Sequence, residues 1–247
     1  ALITGSSRGL GKSMALHLAD HGTDVVVTYH SREKDALAVV DAIVAKGRKA
    51  VALRLDVSDS RSFGAFAETL RSELGRVWGR DRFDFLVNNA GTGAYATIAD
   101  TTEEQFDDLV RVHLKATLFL TQKLLPLLAD GGRILNVSSG LARFTLPGYG
   151  AYAAMKGAIE VLTRYMAKEL GPRKIAVNVV APGAVETDFG GGVVRDDAHV
   201  NQLIASQTAF GRVGLPDDIG PAVAMLLAPE SAWITGQRIE VSGGQSI

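Results

Sequence analysis

The chain has 247 residues, 47% of them hydrophobic and 21% charged, and a net charge of −1 at pH 7. This is an ordinary composition for a globular protein with a sizeable core, and its scattered charges form neither the basic stripe of a nucleic-acid surface nor a polybasic membrane-binding segment. Cysteine is absent, which excludes a disulfide framework, a thiolate nucleophile and a zinc ribbon, and fits a cytoplasmic location.

Short apolar runs predict strands at Ala1–Thr4, Asp24–Tyr29, Ala50–Leu55, Phe83–Asn88, Arg133–Ser138, Ile175–Val180 and Gln237–Val241. Helical periodicity predicts helices at Gly9–His21, Arg32–Lys46, Ser60–Arg76, Thr102–Ala129, Ala151–Leu170 and Asp217–Leu227. Continuous apolar runs such as Val25-Val26-Val27 are expected of strands covered on both faces. Thr101-x-x-Glu104 has the form of a capping box, Pro216 suits the start of the last helix, and Gly22 and Gly47 suit left-handed caps. Pro126 is expected to bend or end the long fourth helix, and every apolar run is broken before a membrane-spanning length. The sequence begins at Ala1 inside an apolar run and without Met, so a few preceding residues are expected.

The strand–helix alternation predicts an α/β fold, a Rossmann-type doubly wound domain over residues 1–247 with a seven-stranded parallel sheet and helices on both faces. Neither a repeat nor a linker divides it. Residues 187–210 form the least regular stretch, with three consecutive glycines at Gly190-Gly191-Gly192, and are expected to form a substrate loop.

Thr4-Gly5-Ser6-Ser7-Arg8-Gly9-Leu10-Gly11 joins the first strand to the first helix. Gly5, Gly9 and Gly11 allow a tight turn and close approach to a pyrophosphate, with the helix N-terminus supplying N–H donors beside Ser7 and Leu10. The second strand ends in Thr28-Tyr29-His30-Ser31-Arg32, without the acid that accepts from the ribose 2′-hydroxyl of NAD. Arg8 and Arg32 instead suit a 2′-phosphate, with His30 and Ser31 beside it, so NADP(H) is preferred and NAD(H) remains possible.

Tyr152 and Lys156, four residues apart, share one face of a helix. A Tyr hydroxyl has a reference pKa of about 10, and a nearby ammonium favours the phenolate, so Lys156 is expected to lower it. Ser139 follows the strand Ile134-Leu135-Asn136-Val137-Ser138, at the carboxyl end where open α/β sheets bind ligands. It is placed to hydrogen-bond a substrate oxygen, or else to cap the strand end, a task Ser138 can also perform.

The set Thr4-Gly5-x-x-x-Gly9-x-Gly11, Asn88-Asn89-Ala90-Gly91, Ser139, Tyr152-x-x-x-Lys156 and Pro182-Gly183 resembles the short-chain dehydrogenase/reductase family over essentially the whole chain. The resemblance implies that Tyr152 is the general acid/base, that Lys156 holds the nicotinamide ribose and lowers the Tyr pKa, and that Ser139 polarises the substrate. It places Asp56 and Val57 at the adenine, Asn88, Ala90 and Gly91 beside the cofactor, and Pro182, Gly183, Val185 and Thr187 on the nicotinamide-side loop. His113 stands where the family has an Asn that holds a proton-relay water; imidazole can also donate and accept. Ser242, before Gly243-Gly244, replaces a common Asp.

The resemblance is to 3-oxoacyl-(acyl-carrier-protein) reductase-like members, through Asn178-Val179-Val180-Ala181-Pro182-Gly183 and Ile234-Thr235-Gly236-Gln237. It implies hydride transfer between NADP(H) and a carbonyl or secondary alcohol of 3-oxoacyl, ketone or sugar type. An acyl-carrier protein is a less favoured partner, because Leu128-Ala129-Asp130 lacks basic residues, although Arg173-Lys174 could contribute. Phe144, Leu146, Tyr149, Val185 and the Phe189 loop are expected to shape a partly apolar pocket. Helices Thr102–Ala129 and Ala151–Leu170 are expected to pair in a homodimer or homotetramer, as in the family. No metal is expected, since His17, His21, His30 and His199 lack ligand spacing. Trp78 and Trp233 are expected to be packing residues rather than substrate platforms. A catalytically weak NADP(H)-binding sensor or regulatory protein is the alternative from another class, and a lyase or epimerase on the same fold is a further one.

Overall fold

The computed structural model describes residues 1–247. Seven strands form one parallel sheet: β1 (Leu2–Ile3), β2 (Val25–Tyr29), β3 (Ala50–Arg54), β4 (Phe83–Asn88), β5 (Leu128–Val137), β6 (Ala176–Pro182) and β7 (Arg238–Val241). Their spatial order is β3-β2-β1-β4-β5-β6-β7, so the connection reverses direction between β1 and β4. In open sheets of this kind ligands bind at that switch point, outside the carboxyl ends of the strands.

The helices are α1 (Gly9–Asp20), α2 (Glu33–Ala45), α3 (Phe63–Glu73), α4 (Glu103–Leu109), α5 (Ala116–Leu124), α6 (Gly150–Leu170), α7 (Val193–Asp196), α8 (Ala198–Ser206) and α9 (Pro216–Leu227). Successive strand residues alternate between two cores, as the two-residue period of a strand requires. Leu2, Val26, Leu86, Ile134 and Val177 pack with Phe63 and Leu70 of α3, Leu120 and Leu124 of α5, and Met166 of α6. Ile3, Val25, Val27, Val87, Leu135 and Val180 pack on the other face with Met14 and Leu18 of α1, Val39 and Ile43 of α2, and Ile219 and Val223 of α9.

Several elements depart from the sequence expectation. The helix expected over Thr102–Ala129 is interrupted by a π-helical stretch at Val110–Lys115, ends its α-helical part at Leu124, and passes through a short 3₁₀ turn around Pro126. Leu128 and Ala129 already belong to β5, whose pairing with β4 is irregular between Phe83 and Phe85. The capping box lies one residue later than expected: the Gln105 N–H donates to the Thr102 hydroxyl at 3.2 Å, and the Thr102 N–H to the Gln105 side chain at 3.1 Å. Residues 187–210 are irregular only in part: they hold α7 and α8, preceded by left-handed backbone at Gly190, Gly191 and Gly192. The Asp197 carboxylate caps α8 by accepting from the His199 and Val200 N–H groups. Gly22 and Gly47 adopt φ of 82° and 77° after α1 and α2, and Pro216 is the first residue of α9. Trp78 is partly buried and donates to Asp24, but Trp233 is 98% exposed, contrary to a packing role within the chain. No helix is long and apolar enough to cross a membrane.

Candidate active site

The turn from β1 into α1 is held open by glycine. Gly5 and Gly9 adopt φ of 64° and 54°, which L side chains rarely adopt. A Cβ on Gly11 would lie 2.7 Å from Asn89 Nδ2 and also collide with the Gly5 carbonyl. No side chain caps the N-terminus of α1, and no acid occupies its first turn, so its leading N–H groups and positive dipole are left for an anion. A dinucleotide pyrophosphate fits this cradle.

Asn89 braces the loop, an arrangement the sequence did not single out. Its side-chain amide donates to the Thr4 carbonyl at 2.8 Å and to the Gly5 carbonyl at 3.2 Å. Thr4 Oγ1 accepts from the Asn89 and Ala90 N–H groups, both at 2.9 Å. Asn88 belongs to the segment expected beside a cofactor, and its side chain turns into the protein. Its amide donates to Asn136 Oδ1 at 2.9 Å and Thr121 Oγ1 at 3.1 Å, and Asn136 Nδ2 donates to Thr163 Oγ1 at 2.9 Å. This buried network ties β4 and β5 to α5 and α6, fixing the floor of the site.

At the ends of β2 and β3, His30 Nε2 lies 3.5 Å from Asp56 Oδ2. Asp56 also accepts from the Ser58 N–H at 2.9 Å, next to Val57. Arg32 is 3.5 Å from Asp35, and Arg8 is paired with Asp188 at 2.6 Å. Both arginines expected at a 2′-phosphate thus have acidic neighbours in this structure. On the opposite wall, the Ala184 N–H donates to the Gln245 side chain at 2.8 Å, holding the segment that runs from Pro182 and Gly183 towards Val185 and Thr187.

Tyr152 lies in the first turn of α6, and Lys156 one turn further on; they are 6% and 5% exposed. Lys156 Nζ donates to the Val137 carbonyl at 2.8 Å and lies 5.5 Å from the centroid of the Tyr152 ring. Burial, which disfavours the ammonium, brings Lys156 down to about 8. Burial pushes the Tyr152 phenol above its ordinary value, and the Ser139 hydroxyl opposes this only in part. The direction is opposite to that expected from the Tyr-x-x-x-Lys spacing, because burying a phenolate costs more than the Ser139 hydroxyl returns, and Tyr149 adds to the rise.

Ser138 and Ser139 divide the two tasks open to them. Ser138 points inward and donates to Glu160 at 2.7 Å. Ser139 caps the short turn Gly140–Ala142 by accepting from the Leu141 N–H at 3.2 Å, and it is the hydroxyl beside the phenol.

His113 lies inside the π-helical stretch and is 2% exposed. Its Nε2 lies 2.7 Å from the Thr92 carbonyl, to which it donates, while Nδ1 has no partner. Burial first, and the Lys156 charge second, hold the imidazole down at about 3. It is therefore neutral, with Nδ1 as a bare acceptor. Its ring is close enough to Gly91 that a Cβ there would lie 2.8 Å from Cε1.

The mouth of this crevice is aromatic. Tyr95 and Tyr149 pack edge to face with centroids 5.4 Å apart, and Phe189 lies 5.7 Å from the Tyr152 ring. Tyr95, Ile98, Leu146 and Phe189 are all exposed there. Phe189 stands at this mouth as its loop was expected to, whereas Tyr95 is placed there by the tertiary structure alone. Arg173 is committed elsewhere, to Asp130 and to the Leu125 and Leu128 carbonyls, so it does not offer a free cation to an acidic carrier. No three His, Asp or Glu side chains are grouped to hold a metal ion.

A doubly wound sheet with a glycine cradle and a buried Tyr–Lys pair at its switch point defines a nicotinamide-dinucleotide oxidoreductase crevice. Residues 5–246 match the family described as enoyl-(acyl carrier protein) reductase. The hydroxynaphthalene reductase-like protein Arp2 of Metarhizium brunneum is 38% identical over 256 residues, spanning 99% of this chain and 93% of that protein. The promiscuous reductase LugOII, which catalyses keto-reduction at C1 during lugdunomycin biosynthesis, has a TM-score of 0.94 at 40% identity, covering 100% of this chain and 97% of that one. The angucycline C-6 ketoreductase LanV with bound NADP also has a TM-score of 0.94, at 35% identity over 100% of this chain and 95% of that one. The chain belongs to the short-chain dehydrogenase/reductase family, NAD(P)-dependent oxidoreductases of carbonyl and alcohol groups.

Proposed function

We propose that this protein is an NADPH-dependent ketoreductase whose substrate is a flat, largely apolar ketone of the polycyclic aromatic kind. The observation that carries the reading is the placement of a protonated, buried phenol, Tyr152, behind a mouth built from Tyr95, Tyr149 and Phe189. Aromatic rings favour offset or edge-on contact with other rings, and such a mouth suits a fused-ring substrate better than a sugar or a carrier-bound acyl chain. LanV, solved with NADP, and LugOII, a keto-reducing enzyme, support the cofactor and the reaction class.

When bound, the reduced nicotinamide supplies a hydride to the carbonyl carbon. Tyr152, neutral in its buried setting, gives its proton to the carbonyl oxygen, and Ser139 donates a hydrogen bond to the same oxygen as charge develops. Lys156, held by the Val137 carbonyl, offers a positive charge beside the phenolate that this leaves and reaches towards the ribose hydroxyls. Nδ1 of His113 supplies an acceptor for a relay water. The glycine loop at Gly5, Gly9 and Gly11 receives the pyrophosphate, Arg8 and Arg32 the 2′-phosphate, and Asp56 and Val57 the adenine. Residues 187–210 form the substrate loop of what we read as one domain. Exposed Leu118 and Phe119 on α5, with Val161 and Tyr165 on α6, fit the pairing of these helices in a homodimer or homotetramer.

The test is the decay of NADPH absorbance against a panel of 1-tetralone, fused-ring quinones, simple ketones and a 3-oxoacyl thioester. Turnover favouring the fused-ring ketones is expected. Preference for the thioester overturns the substrate class, and tight NADPH binding without any turnover favours a sensor instead.

A further inference from the structure

Three consecutive residues, Thr187, Asp188 and Phe189, span the distance between the glycine loop and the catalytic phenol. The Thr187 methyl lies 3.6 Å from where a Cβ of Gly9 would stand. The Asp188 carboxylate accepts from Arg8 Nη1 at 2.6 Å through one oxygen and from Arg195 Nη1 at 2.5 Å through the other. Phe189 lies on the Tyr152 ring, with centroids 5.7 Å apart, and so close to Gly93 that a Cβ there would be 2.9 Å from its Cε1. Arg195 and Arg8 together hold the Asp188 carboxyl down at about 2, so the clasp is fully charged at any working pH. Gly190, Gly191 and Gly192 follow at φ of 61°, 78° and 83°. Three residues in a row that cross readily between right- and left-handed backbone make a hinge next to the clasp.

Arg8 stands at the mouth of the phosphate cradle, and no side chain caps α1 there. The 2′-phosphate of a cofactor seated in the cradle meets an arginine whose charge is already shared with a carboxylate. We propose that Asp188 is a specificity-determining residue: an internal anion that competes with the cofactor's 2′-phosphate for Arg8, and whose release from Arg8 draws Phe189 off Tyr152. This rests on the reading of the protein as an NADP(H) enzyme. It adds that cofactor affinity is set below what the cradle alone would give, and that part of the binding free energy moves the ring packed against Tyr152. Arg195 keeps its own hold on Asp188 during the exchange, so the segment shifts without being set loose. A ligand can shift such an equilibrium only by its differential affinity for the two states, and the Arg8 charge supplies that difference.

Isothermal titration of NADPH and NADH into the wild type, Asp188→Asn, Arg8→Met and the double variant tests the competition without reference to turnover. Asp188→Asn is expected to bind NADPH roughly two- to fivefold more tightly, the range spanned by an exposed ion pair. In the Arg8→Met background the same replacement is expected to change nothing. Equal or weaker NADPH binding by Asp188→Asn, or an undiminished effect without Arg8, overturns the proposal while leaving the cofactor assignment intact. No NADPH binding by any variant overturns the cofactor assignment and this proposal with it. Hydrogen exchange over residues 186–197 tests the second half. Faster exchange on saturation with NADPH, already present in Asp188→Asn, supports the link to Phe189, and unchanged exchange in both overturns that link.

Discussion

His113 meets Tyr152 edge to face, with ring centroids 5.4 Å apart and ring planes at 83°. The contact joins the π-helical stretch between α4 and α5 to the first turn of α6, and it buries an imidazole whose Nδ1 has no partner. Such stretches are often found at functional sites.

The burial of His113 has a consequence for stability. Its pKa in the folded protein is about 3 against an ordinary 6.5. Between those values the unfolded chain binds a proton that the folded chain refuses, so stability falls as pH drops through this window. From pH 7 to pH 5 the group alone is worth about 2 kcal/mol. Urea unfolding at the two pH values is expected to show that loss in the wild type and a smaller one in His113→Asn. Equal losses in both proteins would place the proton uptake elsewhere.

Tyr152→Phe removes the proton donor while keeping the ring that packs on His113 and Phe189. Turnover is expected to fall by two to four orders of magnitude, the range of general acid catalysis, ~10²–10⁴-fold, with NADPH affinity almost unchanged. Activity near that of the wild type would show that another group protonates the carbonyl oxygen.

Arg32 neighbours Asp35, 3.5 Å away, at the start of α2. Arg32→Asp places a carboxylate where NAD-specific relatives of this fold accept the ribose 2′-hydroxyl. The ratio of kcat/KM for NADPH to that for NADH is expected to drop at least tenfold, about 1.4 kcal/mol. An unchanged ratio would leave the 2′-phosphate to Arg8.

Gly11→Ala tests the cradle. The added methyl meets Asn89 Nδ2 and the Gly5 carbonyl, and overpacking of this kind costs about 1–3 kcal/mol. A lowered Tm together with weakened NADPH binding is expected. Normal affinity in a folded Gly11→Ala protein would argue that the pyrophosphate lies elsewhere.

Strand–helix alternation, both-face burial of Val25-Val26-Val27, the glycine loop and the shared face of Tyr152 and Lys156 were all readable from the amino acids in order. Each depends on periodicity or on spacing within one element, and such patterns survive without knowledge of what lies across the sheet. The interruption at Val110–Lys115 was not readable, because a π-helical turn leaves the apolar pattern almost unaltered while shifting the faces on either side. Nor was the division of labour between Asn88 and Asn89, adjacent residues of which one turns inward to Asn136 and the other grips the glycine loop. The direction of the Tyr152 shift was decided by burial, a property of the whole packing around α6 and not of the Lys four residues on. The pairing of Arg8 with Asp188, 180 residues apart in the chain, and the seating of Phe189 on Tyr152 belong to tertiary structure alone. Contacts between distant segments carry no period in the sequence and exist only once the sheet brings the carboxyl ends of β1, β4, β5 and β6 together.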